Sequence, residues 1–305
     1  MTRQPRPLKP NDKIAIVAPG KKIPENGIEK ALEIFEQWGL QVVLGKNLFA
    51  QHHQFAGTDR QRTADFQKMA NDESIKAIFC VRGGYGTTRI IDAIDFSALM
   101  KNPKWVIGFS DITALLSHLH NLSIESIHGI MPTLFGKRGT KEAVESLRKI
   151  VFGESIEYIV KPNALNVKGK GEGRLVGGNL SLLCHLIGTD SDVDTDGKIL
   201  FIEDVDEYLY RLDRMMVQMK RAGKLEKLAG LIVGHFSDCK DDKAVPFGKS
   251  AYEIIAEHTE EFGYPICFGF PVGHEPNNFA LLVSRKTTLV VDKFGGILRF
   301  SPLTV

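Results

Sequence analysis

A serine and an aspartate follow an apolar run and a glycine in the segment 106–116, which reads VIGFSDITALL. Ser110 can be the N-cap of the helix that the following apolar pattern predicts, because a serine oxygen accepts a hydrogen bond from an orphan backbone N–H. It can also be a nucleophile, if Gly108 allows a tight turn and the helix N-terminus stabilises an oxyanion. The turn differs from the G-x-S-x-G elbow of α/β-hydrolases, because Ile112 stands at the second glycine position. Both interpretations of Ser110 fit the residues.

A nucleophilic serine needs a base, and nine histidines are available. His235 directly follows the apolar run LIVG, and His274 lies in the loop PVGHEPNN after another predicted strand. The other seven are better explained as solvated residues, structural residues or partners of a helix terminus. A loop histidine beside glycine and proline is a plausible base, so His274 is a candidate and His235 competes with it.

An acidic cluster, FIEDVDE at 201–207, follows an apolar strand and can supply the carboxylate that orients such a histidine. Glu203 is the first acid after the strand, so of the four acids it is the one we expect to be partly buried. The spacing is not that of an EF-hand, and no histidine pair lies nearby. The four cysteines contain no C-x-x-C pair. We therefore expect neither a metal nor a cofactor.

A glycine-rich turn, RGGYGT at 82–87, follows a third predicted strand. It lacks the Lys-Ser/Thr ending of a P-loop, and its spacing is not that of a dinucleotide fingerprint. Its backbone N–H groups can instead serve an oxyanion or a substrate carboxylate, and Arg82 is a candidate for binding that carboxylate. An arginine that ties the turn to the sheet is an equally good interpretation.

Elements that would position these residues alternate along the first half of the chain. Strands are predicted at 13–18, 40–44, 77–81 and 105–107, with helices at 25–38, 59–70, 87–94 and 111–120. Continuous apolar strands separated by helices indicate a parallel sheet covered on both faces, with sites at its carboxyl edge. The polar, glycine-containing stretch 153–173 predicts a linker. We expect an N-terminal domain at 1–152 and a smaller C-terminal α/β domain at 174–305.

Composition excludes several classes of partner. The formal net charge is +2, and hydrophobic residues make up 43% of the chain. No single-sign charge field favours nucleic acid or a membrane surface. The apolar run Ile14–Ala18 is too short for a signal-peptide core, and no run is long enough to span a bilayer. A cytoplasmic location is the expectation.

Taken together in order, several segments resemble the LD-carboxypeptidases, the serine peptidase family that includes muramoyltetrapeptide carboxypeptidase. They are VAPG at 17–20, RGGYGTTRI at 82–90, GFSD at 108–111, HGIMP at 128–132, GGNLSLL at 177–183, IEDVDEYLYRLDRMM at 202–216, and GH followed by Asn277 at 273–277. The stretch after His274, NNFALLVSRKTTL, lacks the Leu-Pro-(Leu/Ile)-Gly often found there, which puts the local loop shape in question.

The resemblance implies a flavodoxin-like N-terminal domain, a smaller C-terminal domain and a homodimer. It also implies a triad of Ser110, Glu203 and His274, with the backbone N–H groups of Asp111 and Gly84 as oxyanion donors. The implied reaction releases terminal D-alanine from muropeptides during cell-wall recycling. Related immunity peptidases that cleave acyl-sulfamoyl or peptidyl-nucleotide antibiotics share the triad and form one alternative. A non-catalytic binding module, with Ser110 as a cap only, forms the other.

Overall fold

Short apolar runs form the strands of two separate sheets in the computed structural model, which describes residues 2–302. The chain divides into two units. Unit 1 runs to Ser155 and also includes Pro276–Ser284; unit 2 comprises Ile156–Glu275 and Arg285–Pro302. The strands are β1 Lys13–Val17, β2 Gln41–Leu44, β3 Ile75–Cys80, β4 Trp105–Gly108, β5 Ser126–His128, β6 Glu157–Val160, β7 Gly169–Asn179, β8 Ile199–Val205, β9 Gly230–Ser237, β10 Ile266–Phe268, β11 Leu281–Val283, β12 Lys286–Asp292 and β13 Gly295–Phe300. The α-helices are α1 Glu29–Gln37, α2 Asp59–Asn71, α3 Ser97–Lys101, α4 Thr113–Asn121, α5 Lys141–Val151, α6 Leu180–Leu186, α7 Leu209–Arg221 and α8 Ala251–Thr259.

Unit 1 contains a six-stranded sheet of order β11-β5-β4-β3-β1-β2. Its first five strands along the chain pair in parallel in the order 2-1-3-4-5, which is the flavodoxin-like arrangement. β1, β3 and β4 are almost wholly buried, as expected for parallel strands with both faces covered. The predicted α/β fold class is therefore confirmed, and the carboxyl ends of β1, β3 and β4 lie side by side.

Helix α2 shows how local sequence fixes the ends of these elements. Thr58 and Gln61 form a reciprocal capping box at its N-terminus. At its C-terminus the buried ammonium of Lys104 donates to the carbonyl oxygens of Met69 at 3.0 Å and Ala70 at 2.8 Å. Side chains thus satisfy some of the orphan backbone groups at both ends of this helix.

Unit 2 contains a seven-stranded mixed sheet of order β10-β9-β8-β7-β12-β13-β6. The strands from β7 to β10 are parallel, and α6, α7 and α8 pack apolar residues such as Leu180, Leu212 and Ile254 against them. The strands β12, β13 and β6 extend the sheet with antiparallel pairs. A smaller C-terminal α/β domain was expected, and its carboxyl edge is where β8 presents its acidic cluster.

Three local expectations were wrong. The predicted linker at 153–173 holds β6 and the start of β7, whose residues alternate between exposed and more buried positions of a sheet instead of forming a loop. The predicted helix at 87–94 is two 3₁₀ turns, 87–89 and 91–93. Residues 276–284 join unit 1, because β11 pairs antiparallel with β5.

Among residues 2–302, no helix has the length and hydrophobicity needed to cross a membrane.

Candidate active site

The turn after β4 holds Ser110 in a conformation that serines rarely adopt. Its φ is 63°, in the left-handed region, which costs roughly 1–3 kcal/mol for a non-glycine residue. Ser110 begins a 3₁₀ turn of three residues that leads into α4. The N-cap positions are Phe109 for this turn and Ile112 for α4, so Ser110 is the N-cap of neither. This geometry disfavours the capping interpretation and is typical of a residue displayed at a tight strand-to-helix turn.

Glycines bring the ends of β1 and β3 against this turn. A Cβ added at Gly83 would lie 3.1 Å from Ser110 Cβ and 3.3 Å from the backbone nitrogen of Asp111. A Cβ added at Gly20, after β1, would lie 3.0 Å from Asp111 Oδ2 and 3.1 Å from the carbonyl oxygen of Gly83. Gly84 has a φ of 107°. The glycine-rich turn therefore packs directly on the Ser110 turn, at a distance that larger residues would prevent.

The Asp111 side chain ties the two turns together. Asp111 is 2% exposed, and its Oδ2 accepts hydrogen bonds from Thr87 N at 3.0 Å and Thr87 Oγ1 at 2.7 Å. Burial raises the pKa of the Asp111 carboxyl, and the hydrogen bonds from Thr87 oppose that rise. On the other side of the loop, buried Arg62 donates to the carbonyl oxygens of Gly86, at 2.8 Å, and Pro19. Sequence reasoning assigned only the backbone of Asp111 and missed this network.

Glu203 stands at an irregularity of its strand in unit 2. The register between β8 and β9 shifts between Ile202 and Asp204, while on the other side Glu203 still pairs with Asn179 of β7. The extra residue lies on β9, between Val233 and Phe236, opposite Glu203. Irregularities of this kind are common near functional sites. Glu203 is fully buried. A Cβ added at Gly273 would lie 3.1 Å from Glu203 Oε2, so the loop backbone passes directly over the carboxylate.

Glu203 and His274 form a hydrogen-bonded pair within unit 2, in which the carboxylate is buried and the imidazole is partly exposed. The imidazole Nδ1 lies 2.7 Å from Glu203 Oε2, and the His274 side chain is 19% exposed. Because the carboxylate accepts, Nδ1 carries the hydrogen and Nε2 is the nitrogen able to take a proton. His235, the competing candidate, donates its backbone N–H to the carbonyl oxygen of Val272 at 2.8 Å and so anchors the same loop. Of the two histidines, His274 is the one that pairs with the glutamate.

The environment of His274 shifts its titration in the direction that a general base requires. Burial alone would lower the pKa of the imidazole, but the hydrogen bond and negative charge of Glu203, with a further contribution from Asp204, raise it above its ordinary value. Asp204 is itself buried. This burial, and to a smaller extent the negative charge of Glu203, raises the pKa of Asp204 to about 6. Its carboxylate accepts from Asn179 Nδ2 at 2.8 Å and from Ser181 N at 2.9 Å at the start of α6. Asp204 therefore fixes the strand end that carries Glu203.

Each unit thus holds residues of types that serine hydrolases use. Unit 1 presents Ser110 on a strained turn beside backbone N–H groups, and unit 2 holds a glutamate–histidine pair. Among residues 2–302, no group of three or more His, Cys, Asp or Glu could hold a metal ion. Family models decide between the possible classes. The model described as the LD-carboxypeptidase N-terminal domain matches residues 14–129, and that described as the LD-carboxypeptidase C-terminal domain matches residues 172–289.

The chain belongs to the LD-carboxypeptidase family. It is 38% identical to the probable murein peptide carboxypeptidase of Bacillus subtilis, over 94% of this chain and 91% of the relative. It is 30% identical to the murein tetrapeptide carboxypeptidase of Pseudomonas aeruginosa, over 91% of this chain and 92% of the relative. The crystal structure of muramoyltetrapeptide carboxypeptidase from Oxalobacter formigenes superposes with a TM-score of 0.86 at 28% identity, covering 96% of this chain and all of the other. The protein is therefore a serine peptidase of the LD-carboxypeptidase type, with the two-domain α/β fold expected from its sequence.

Proposed function

We propose that this LD-carboxypeptidase removes the terminal D-alanine from murein tetrapeptides, with Ser110, Glu203 and His274 as its catalytic triad. The observation that carries the proposal is the 2.7 Å contact between His274 Nδ1 and the fully buried Glu203 carboxylate. A glutamate in this position orients the imidazole and stabilises its charged form. The strained turn at Ser110 supports the same assignment. So do two relatives, 38% and 30% identical to this chain, whose names are murein peptide and murein tetrapeptide carboxypeptidase.

In the proposed reaction, Ser110 Oγ attacks the carbonyl carbon of the L,D peptide bond while His274 Nε2 takes the hydroxyl proton. The backbone N–H groups of Asp111 and Gly84 stabilise the oxyanion of the tetrahedral intermediate. Collapse breaks the C–N bond, and the imidazolium gives its proton to the departing amine of D-alanine. Water, deprotonated by His274, then hydrolyses the acyl-enzyme ester and regenerates the Ser110 hydroxyl.

Turnover of a defined tetrapeptide, read by mass spectrometry as loss of one D-alanine, tests this function. We expect single alanine substitutions of Ser110, Glu203 and His274 each to remove most activity. Ser110→Ala should lower kcat by more than the factor of about 100 to 1000 that is typical for the loss of one oxyanion donor. His235→Ala is a matched control for His274→Ala and should retain turnover, because His235 holds the same loop through its backbone N–H, which alanine keeps. Near-normal turnover by folded Ser110→Ala protein would contradict the assignment.

Serine labelling tests the joint action of the triad separately from substrate choice. A fluorophosphonate should modify Ser110 in the native protein and react far more slowly in the His274→Ala variant, because the base is then missing. No adduct on Ser110 would favour a non-catalytic module. Labelling without tetrapeptide cleavage, together with cleavage of an acyl-sulfamoyl adenylate, would favour the antibiotic-directed alternative.

A homodimer in the cytoplasm remains part of the proposal. Light scattering during size-exclusion chromatography measures the first, and fractionation of the native host measures the second. A monomer at micromolar concentration would contradict the dimer without affecting the proposed chemistry, because all the proposed catalytic groups come from one chain.

A further inference from the structure

A cavity of about 510 Å³ in unit 1 is lined by three cationic side chains and by no acidic one. Its lining residues are Lys21, Lys22, Ile23, Pro24, Gln51, Gln54 and Arg82. The two lysines follow β1, and the arginine follows β3, so the cavity lies at the carboxyl edge where flavodoxin-like sheets bind ligands. Lys22 and Arg82 are exposed, so water weakens the repulsion between these charges, and an anion bound in the cavity would be attracted to all three.

These cations are not neutralised by neighbouring carboxylates. Lys22 Nζ donates to Gln51 Oε1 at 3.3 Å, and Arg82 Nη1 donates to the carbonyl oxygen of Lys22 at 3.5 Å. Both acceptors are uncharged. Within the described part of the chain, no carboxylate oxygen lies within 4.0 Å of the charged nitrogens of these two residues or of Lys21. The contrast with Arg89 is direct, because that exposed arginine is paired with Asp59 at 2.8 Å.

The cavity adjoins the glycine-rich turn at 82–87, which contains the proposed oxyanion donor Gly84. A Cβ added at Gly84 would lie 2.5 Å from Lys21 Cδ, so the methylene stem of this lysine covers the glycine. The Lys21 backbone N–H donates to the Gly83 carbonyl oxygen at 3.4 Å, and Gly83 in turn packs on Ser110. A group bound here would lie next to the peptide bond that Ser110 attacks.

We propose that Lys21, Lys22 and Arg82 form an anion subsite for the free α-carboxylate of the terminal D-residue. The proposal rests on the proposed function, since it names the part of the peptide that this cavity would recognise. A guanidinium can bind a carboxylate through two parallel hydrogen bonds, and an ammonium adds a mobile point charge. The subsite would restrict cleavage to the last residue, because an internal peptide bond has no carboxylate at that distance.

Matched substrates and charge-removing variants test the subsite. The peptides are a tetrapeptide with a free terminal carboxylate and the same peptide with a terminal amide. We expect wild-type kcat/KM to fall about 10- to 100-fold on amidation, the value of a charged hydrogen bond. Arg82→Gln and Lys21→Met, which keeps the stem over Gly84, should lower kcat/KM on the free acid and reduce the discrimination against the amide. Lys68→Gln, on the exposed surface of α2, controls for net charge and should leave both values unchanged.

Other outcomes separate the subsite from the function. If wild-type protein cleaves the free acid but Arg82→Gln and Lys21→Met keep its full discrimination, the subsite is wrong and the function stands. If discrimination follows a free or amidated carboxylate on the third residue of the peptide instead, the cavity does not bind the terminal group and the proposal is overturned. If wild-type protein cleaves no tetrapeptide, the proposed function fails, and calorimetry with acetyl-D-alanine and its amide decides the subsite. Equal affinity for the two would overturn it.

Discussion

Removing the Thr87 hydroxyl should loosen the turn that carries the proposed oxyanion donors. Thr87 is 1% exposed, and its Oγ1 donates to Asp111 Oδ2 at 2.7 Å. The substitution Thr87→Val keeps the shape of the side chain and leaves a buried carboxylate with one donor fewer. A hydrogen bond to a charged group is worth about 1.5–3 kcal/mol, so we expect the free energy of unfolding to fall by that amount. Urea denaturation followed by circular dichroism measures it.

The pH dependence of this loss has a definite sign. Burial holds the pKa of Asp111 above its ordinary value, and the Thr87 hydroxyl opposes that rise. The Thr87→Val substitution should raise the pKa of Asp111 further. A carboxyl whose pKa is raised on folding favours the folded state below its unfolded pKa, about 3.9, and costs stability as the pH rises through its folded value. The stability difference between wild type and Thr87→Val should therefore be larger at neutral pH than near about pH 4.

Catalysis should change in a way that general destabilisation would not produce. We expect kcat for the tetrapeptide to fall about 10-fold with little change in KM. This loss is smaller than the decrease of about 100-fold or more that follows complete removal of an oxyanion donor. Thr87→Ser keeps the hydroxyl and is the matched control. If Thr87→Val and Thr87→Ser have the same stability, pH dependence and kcat, the Asp111–Thr87 contact does not hold the turn.

Two further substitutions test the remaining parts of the site. Glu203→Gln should move the acidic limb of the kcat/KM profile to lower pH and lower its maximum, because the hydrogen bond and charge of Glu203 raise the pKa of His274, whose neutral form is the base; an unchanged limb would show that another group titrates there. Gly108→Ala should destabilise the protein by about 1–3 kcal/mol and slow phosphonate labelling of Ser110, because the new methyl group would lie 2.8 Å from Ile112 Cγ1. Thermal denaturation that matches wild type would refute this second expectation.

Periodicity predicted the elements whose determinants are local. The strands β1, β3 and β4 are buried apolar runs, and each was expected within three residues of its observed ends. The helix α2, Asp59–Asn71, begins at its predicted first residue and ends one residue beyond its predicted last. A parallel sheet follows from alternating strands and helices, and such a sheet places residues that end different strands at one edge. That reasoning was enough to select Ser110 and the 82–87 turn as neighbours.

Features that depend on distant pairing could not be read from local patterns. β11 pairs with β5, whose residues stand more than 150 positions earlier in the chain, so residues 276–284 were assigned to the wrong domain. In the strand β6 the exposed residues Glu157 and Ile159 alternate with the buried Tyr158 and Val160, but the strand is short and lies among lysines, asparagine and proline, so it resembled a linker. The register shift before Asp204 arises from the pairing of β8 with β9, and no local sequence pattern predicts it.

The backbone conformation of Ser110 bears on its chemical role. Its φ of 63° is unfavourable for a serine, so the surrounding contacts must fix the turn. They do so on both sides of the residue: Gly129 N donates to the carbonyl oxygen of Gly108 at 3.1 Å, and Ile112 N donates to that of Phe109 at 3.2 Å. A simple helix cap would require none of this strain, since a cap residue adopts extended backbone angles. A strained turn that displays a hydroxyl is what we expect if Ser110 is the nucleophile of the proposed triad.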